Sequence, residues 1–204
     1  MSGTTRSSTD DGGEDLPPEL EGSGNVLVLA PAISRETARA CRRLRADEPG
    51  DHDLLLATFT RAGADDLDRW LEGTTPGRVL VVDAAPTEGS HRVGNRKGVT
   101  AETVSSPGNL TEIGVAVTKH LSAFEEREAP LTACVRSLTA LLQYTDAEGA
   151  YRFLNVMTGR LAAVEARAHY HLDPSAHDEQ TVRSLSSLFD AVVESGTGGL
   201  TVRR

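Results

Sequence analysis

Lysine is almost missing from this 204-residue chain. Two of its 21 basic residues, Lys97 and Lys119, are lysines and the others are arginines. Aromatic residues are scarce as well, at 4%. No stretch approaches the roughly 20 consecutive apolar residues that cross a bilayer, and the N-terminus lacks the apolar centre of a secretion signal. The two cysteines, Cys41 and Cys134, are too few for a disulfide framework and show no metal-knuckle spacing. Both fall in segments that read as core. A formal charge of −9 and the lack of a basic stripe argue against direct nucleic-acid binding, which requires phosphate neutralisation. These absences lead to the expectation of a cytoplasmic protein with no membrane segment.

Acidic residues are what the chain has in excess. Residues 1–24 carry Asp10, Asp11, Glu14, Asp15, Glu19 and Glu21 against Arg6 alone, together with Pro17-Pro18 and five glycines. With almost nothing apolar to bury, this segment reads as a disordered acidic tail ahead of one domain over 25–204. Acid-rich, lysine-poor composition also fits a high-salt cytoplasm, where a strongly hydrated acidic surface keeps a protein soluble.

Short continuous apolar runs predict strands at 25–30, 53–59, 78–83, 131–135 and 166–172, with weaker ones near 99–104 and 198–202. Helical spacing predicts helices over about 34–44, 63–72, 109–125, 138–144 and 146–163, and a last one from Pro174 to about Glu194. The stretch 85–98 has no apolar period and reads as a surface loop. Strands alternating with helices imply an α/β fold: a central, mainly parallel sheet with helices on both faces.

Ligands bind such sheets at the carboxyl ends of the strands. After the first strand comes Ala30-Pro-Ala-Ile-Ser-Arg-Glu-Thr37, where a phosphate loop would place its glycines, lysine and hydroxyl. Ser34, Arg35 and Thr37 are candidate contacts for an anion, yet Arg35-Glu36 stand in place of Gly-Lys. Asp83 ends the third strand, either as a metal-holding aspartate or as a loop cap. His169-Tyr-His171-Leu-Asp173 continues to His177 and Asp178. Residues 169, 171 and 173 share one face of a strand, so His169, His171 and Asp173, joined by His177, form a candidate set for a divalent metal. The alternative has the histidines bonding neighbouring loops and Asp173 capping a helix.

The order Asn25-Val-Leu-Val-Leu-Ala-Pro31, Thr58-Phe-Thr-Arg61, Val-Val-Asp83 and Arg136-Ser-Leu-Thr-Ala-Leu-Leu-Gln-Tyr144 resembles the KaiC/GvpD-like branch of RecA-type ATPases. Ser137–Tyr144, Phe153–Arg160 and His169–Asp178 resemble stretches of an uncharacterised haloarchaeal family of degenerate KaiC-like proteins. This resemblance covers about 25–193. It implies a RecA/KaiC-like P-loop-type fold whose phosphate loop, at 30–37, has degenerated. The catalytic glutamates of active relatives fall on Thr60 and Arg61, and the Walker B aspartate falls on Arg136, a cation that cannot hold Mg²⁺. The implied protein is a non-catalytic, pseudo-ATPase regulatory or signalling module, binding protein partners or its own copies, with no cofactor or with ATP held but not hydrolysed. The other reading is a metal-binding protein or metal-dependent hydrolase built on 169–173.

Overall fold

Every residue of Asn25–Leu29 (β1) and Asp53–Thr58 (β2) is buried, which places both strands inside a sheet covered on its two faces. The computed structural model describes residues 18–32, 35–46, 52–60, 64–71, 75–85, 97–126, 129–196 and 199–203. Beyond β1 and β2 the strands are Arg78–Asp83 (β3), Val99–Thr103 (β4), Leu131–Arg136 (β5), Arg167–Leu172 (β6), Ala191–Gly196 (β7) and Gly199–Arg203 (β8). The helices are Arg35–Ala46 (α1), Ala64–Leu71 (α2), Leu110–Glu125 (α3), Leu138–Leu141 (α4), Ala147–Ala163 (α5) and Glu179–Ser186 (α6).

One eight-stranded sheet runs in the order β4-β3-β2-β5-β6-β1-β7-β8. All neighbours are parallel except β7 and β8, which form an antiparallel edge. Its register sets the two faces. Val26 pairs with His169, His169 with Cys134, Cys134 with Leu56, and Leu56 with Val81. That row lies beneath α1 and α2, where Ala40, Cys41, Leu44, Leu67 and Trp70 close the face. Neighbouring strand residues turn the other way, as period two requires. Leu27, Leu55, Val82, Val135 and Tyr170 pack with Ile113, Val117 and Leu121 of α3 and Leu154, Met157 and Leu161 of α5.

Helix ends follow local side-chain chemistry. Asp146 accepts from the Gly149 N–H at the start of α5, and Asp178 accepts from the Thr181 N–H at the start of α6. Each satisfies a backbone donor that the helix leaves free. Asp178→Ala is expected to lower unfolding stability by about 1 kcal/mol, read as a lower urea midpoint at unchanged slope.

Two expectations change, and a third falls mostly outside the described residues. The packed part begins before Asn25, because Pro18–Leu20 form a 3-10 turn and Leu20 is buried with Val26 and Leu44; residues 1–17 lie outside the described residues. The last helix stops at Ser186, and Val192 and Val193 stand on β7 beside β1. A short apolar run satisfies both periods, and here strand pairing prevails because the Asp190 carboxylate accepts from the Asn25 N–H at the edge of β1. The loop 85–98 is described only at its two ends.

Candidate metal centre

Two imidazoles and two thiols meet beneath α1. Cys41 lies on α1, Cys134 on β5, and His169 and His171 on β6. One ligand atom from each lies within 4.8 Å of all the others, and all four residues are buried. The Cys41 and Cys134 sulfurs are 3.8 Å apart, and the Cys41 sulfur is 3.2 Å from Nε2 of His169. A tetrahedral zinc with Zn–S bonds of ~2.3 Å sets its sulfurs about 3.8 Å apart, and its sulfur–nitrogen edges are about 3.5 Å.

Local structure dictates this meeting. Cys134 and His169 are register partners across the β5–β6 ladder, so their side chains stand beside each other on the α1 face. His171 is two residues further on and therefore points the same way; its ring centroid is 5.2 Å from that of His169, nearly edge-on. Helix α1 supplies Cys41 from above. One turn later the buried Arg45 donates to the carbonyls of Cys41 and Trp70 and lies over the Trp70 ring at 5.0 Å, fixing α1 against α2.

The electrostatics favour metal-ligating forms. Hydrogen bonding, first with Cys134 and also with His169, holds the Cys41 thiol well below the usual range, so the thiolate, the form that binds metal, is favoured there. Burial, and then the neighbouring Cys41, push the Cys134 thiol upward; a cation between them would deprotonate both. Burial drives His171 down to about 4, which keeps it neutral and able to ligate. Neither ring nitrogen of His171 makes a well-formed hydrogen bond, although the Cys41 thiol lies near enough to oppose the effect of burial; so loosely satisfied a buried histidine is uncommon. Two thiolates, two neutral imidazoles and a divalent cation sum to zero charge, as suits a buried site.

Of the metal set read from the sequence, His169 and His171 are brought together, whereas Asp173 and His177 are not. Asp173 lies past the end of β6, where its carboxylate accepts from the Ala32 N–H at 2.9 Å and from the Ser175 N–H and hydroxyl. The Ser175 hydroxyl, and next the Ala32 N–H, hold its carboxyl below the usual range. His177 closes the Pro174–Ala176 turn. The partners of the two histidines are instead Cys41 and Cys134, 128 and 35 residues upstream of His169 in a sequence without knuckle spacing. Two cysteines on elements that both face His-x-His were the available signal, legible only once β5 is known to neighbour β6.

At the phosphate-loop position Ser34 lies outside the described residues, and of Arg35 the backbone is described as the first residue of α1. Thr37 is buried and its hydroxyl donates to the Pro31 carbonyl at 2.8 Å. Asp83 is buried at the end of β3 and accepts from the Ala85 N–H. Next to His169, a cavity lined by Leu20, Ser23, Val26 and Leu44 measures about 20 Å³, room for one water and no substrate.

A family model described as a family of unknown function, DUF7504, matches residues 23–195. No curated protein matches. Solved structures share the fold at low identity. One is an uncharacterised protein of Pyrococcus horikoshii, PH0321, crystallised in complex with an unknown peptide. It is 17% identical with a TM-score of 0.56, over 88% of this chain and 82% of that one. Another, PH0250 from Pyrococcus horikoshii OT3, is 10% identical with a TM-score of 0.57, over 90% of this chain and 86% of that one.

Proposed function

The chain belongs to the DUF7504 family, and we propose that it is a zinc-holding, non-hydrolysing module that acts by binding other proteins. The observation that carries this reading is the convergence of Cys41, Cys134, His169 and His171, four buried donors within 4.8 Å. Mixed sulfur and nitrogen donors in a tetrahedron suit zinc. Four protein ligands close the coordination sphere, whereas catalytic zinc keeps a position open for water or substrate. The zinc is therefore structural: it ties α1 to β5 and β6.

The finer fold reading is a RecA/KaiC-type scaffold. In support, α1 follows the carboxyl end of β1, the place where such proteins hold phosphate. There the Asp173 carboxylate takes the Ala32 N–H that a phosphate would use, and Thr37 turns its hydroxyl to Pro31. A fixed anion at that amide repels a triphosphate. The similarly folded Pyrococcus horikoshii protein was crystallised with an unknown peptide, in keeping with a binding role. The same reading includes a cytoplasmic, halophilic setting, in line with the acid excess.

Two measurements on the purified full chain test the two halves. Incubation with a high-affinity zinc chelator is expected to lower the thermal midpoint by at least about 5 °C, through loss of a ligand bound only by the native state. With ATP and Mg²⁺, phosphate release is expected to stay at the level of buffer. An unchanged midpoint with chelator would overturn the zinc half. Turnover that disappears in Thr37→Ala would overturn the non-hydrolysing half.

A further inference from the structure

Helices α3 and α5 lie side by side on the sheet face opposite the cysteines, and a groove of about 730 Å³ runs between them. Leu110, Val115, Phe153, Val156 and Met157 give it an apolar lining. Val115 is 60% exposed and Val156 55%. Four large hydrophobic side chains are exposed among the described residues; these two line the groove, and a third, Tyr151, stands on α5. Scattered exposed apolar residues are ordinary, but two across one groove form a patch of the kind that marks an interaction site.

Charge sharpens the picture. The chain carries −9 overall, yet the charged residues of the groove, Lys119, Arg152 and Arg160, are all cations. Lys119 pairs with Glu102 and Arg152 with Glu148, both outside the groove lining. Arg160 is in no such pair among the described residues, and the Arg152–Glu148 pair is exposed on both sides and weak, so the rim can still turn cations to an incoming carboxylate.

Gly114 adds a separate argument. It sits within α3, lines the groove, and a Cβ built on it meets nothing within 4 Å. A glycine inside a helix costs about 1 kcal/mol relative to alanine, and no close approach within the chain requires one here. The space above it leaves the groove floor open at this point, so a side chain placed here would enter the groove.

We propose that the α3–α5 groove receives an amphipathic helix of a protein partner, its apolar side chains seated between Val115 and Val156 and its carboxylates directed at Lys119, Arg152 and Arg160. Helix-in-groove recognition uses anchors at i, i+3, i+4 and i+7, and opposite rim charges select the partner. This inference rests on the reading of the chain as a binding module and is independent of the zinc set.

The test uses two labelled helical peptides with the same leucine stripe, one flanked by glutamates and one by lysines. Fluorescence anisotropy on the full chain is expected to show saturable binding of the glutamate peptide, at least tenfold tighter than the lysine peptide. Val156→Glu is expected to weaken it by tenfold or more. Gly114→Leu adds a Cβ in open space; it is expected to keep the zinc content of the parent and to hold or raise its thermal midpoint by a few °C while weakening the peptide by a similar factor. Equal binding of both peptides, no saturable binding, or binding unchanged in Val156→Glu and Gly114→Leu would overturn the proposal. A dimer of the chain that dissociates in Val156→Glu would seat a second copy in the groove and overturn it as well. Zinc measured on the same samples separates the two readings: peptide binding that fails at one zinc per chain removes this inference and leaves the metal centre.

Discussion

Cys134→Ser is expected to abolish zinc retention and to lower the thermal midpoint by about 8–16 °C. The magnitude follows from mass action. A ligand present at about 1,000 times its dissociation constant stabilises the native state by about 4 kcal/mol, and each kcal/mol moves the midpoint of a chain this size by about 2–4 °C. Serine is close to cysteine in shape but is a poor zinc ligand, so the substitution removes one corner of the tetrahedron with little change in packing. The control lies in the chelated state. With zinc stripped from both proteins, parent and variant are expected to melt within about 3 °C of each other, because what remains is one sulfur exchanged for an oxygen in a core position. If the full difference persists in chelator, Cys134 acts through packing alone. Differential scanning calorimetry with and without chelator gives all four midpoints.

His171→Leu carries a prediction whose sign depends on the metal. The residue is buried and neither ring nitrogen makes a well-formed hydrogen bond, the Cys41 thiol lying nearby. A buried polar group in that state costs about 1–3 kcal/mol, so leucine, of similar bulk, is expected to stabilise the chelated chain or leave it unchanged. In the presence of zinc the same substitution deletes a ligand, and it is expected to destabilise by several kcal/mol relative to the parent. One substitution thus raises or preserves the midpoint in chelator and lowers it in zinc. A histidine kept for packing would give the same sign under both conditions. Chemical denaturation of both proteins with and without zinc measures the four free energies and their crossing.

The fold was more legible in the sequence than the site, for a physical reason. Strands buried on both faces write themselves as continuous apolar runs, as in Asn25–Leu29 and Asp53–Thr58, and long helices write a 3.6-residue stripe, as in Leu110–Glu125. Both are local signals. The last helix was overextended through Val192 and Val193 because a short apolar run fits either period, and only pairing with β1 decides between them. The site depends on which strands are neighbours, which no local pattern records. His169 and His171 were legible as one face of a strand because the rule of alternation is local. Their cysteine partners were not, since a parallel sheet brings β5 and β6 together across two intervening helices and draws Cys41 in from α1. Asp173 was assigned to the metal by the same alternation, but β6 ends at Leu172. Past that point the chain turns, and the carboxylate joins the β1–α1 turn through Ala32.

The β1–α1 turn and the metal centre are joined by one helix. The helix that follows β1 carries both Thr37, whose hydroxyl is held by Pro31, and Cys41, one turn further on, which faces His169 at 3.2 Å. On this account a metal holds α1 in place on a scaffold that no longer turns over nucleotide, and the exposed groove on the opposite face provides the working surface.

Metal content is the most direct measurement. The full chain, purified without chelator or added metal and analysed by inductively coupled plasma mass spectrometry, is expected to carry close to one zinc per chain. Cys134→Ser and His171→Leu, prepared in the same way, are expected to carry little. A parent chain with no stoichiometric zinc, or variants that retain as much as the parent, would contradict the account.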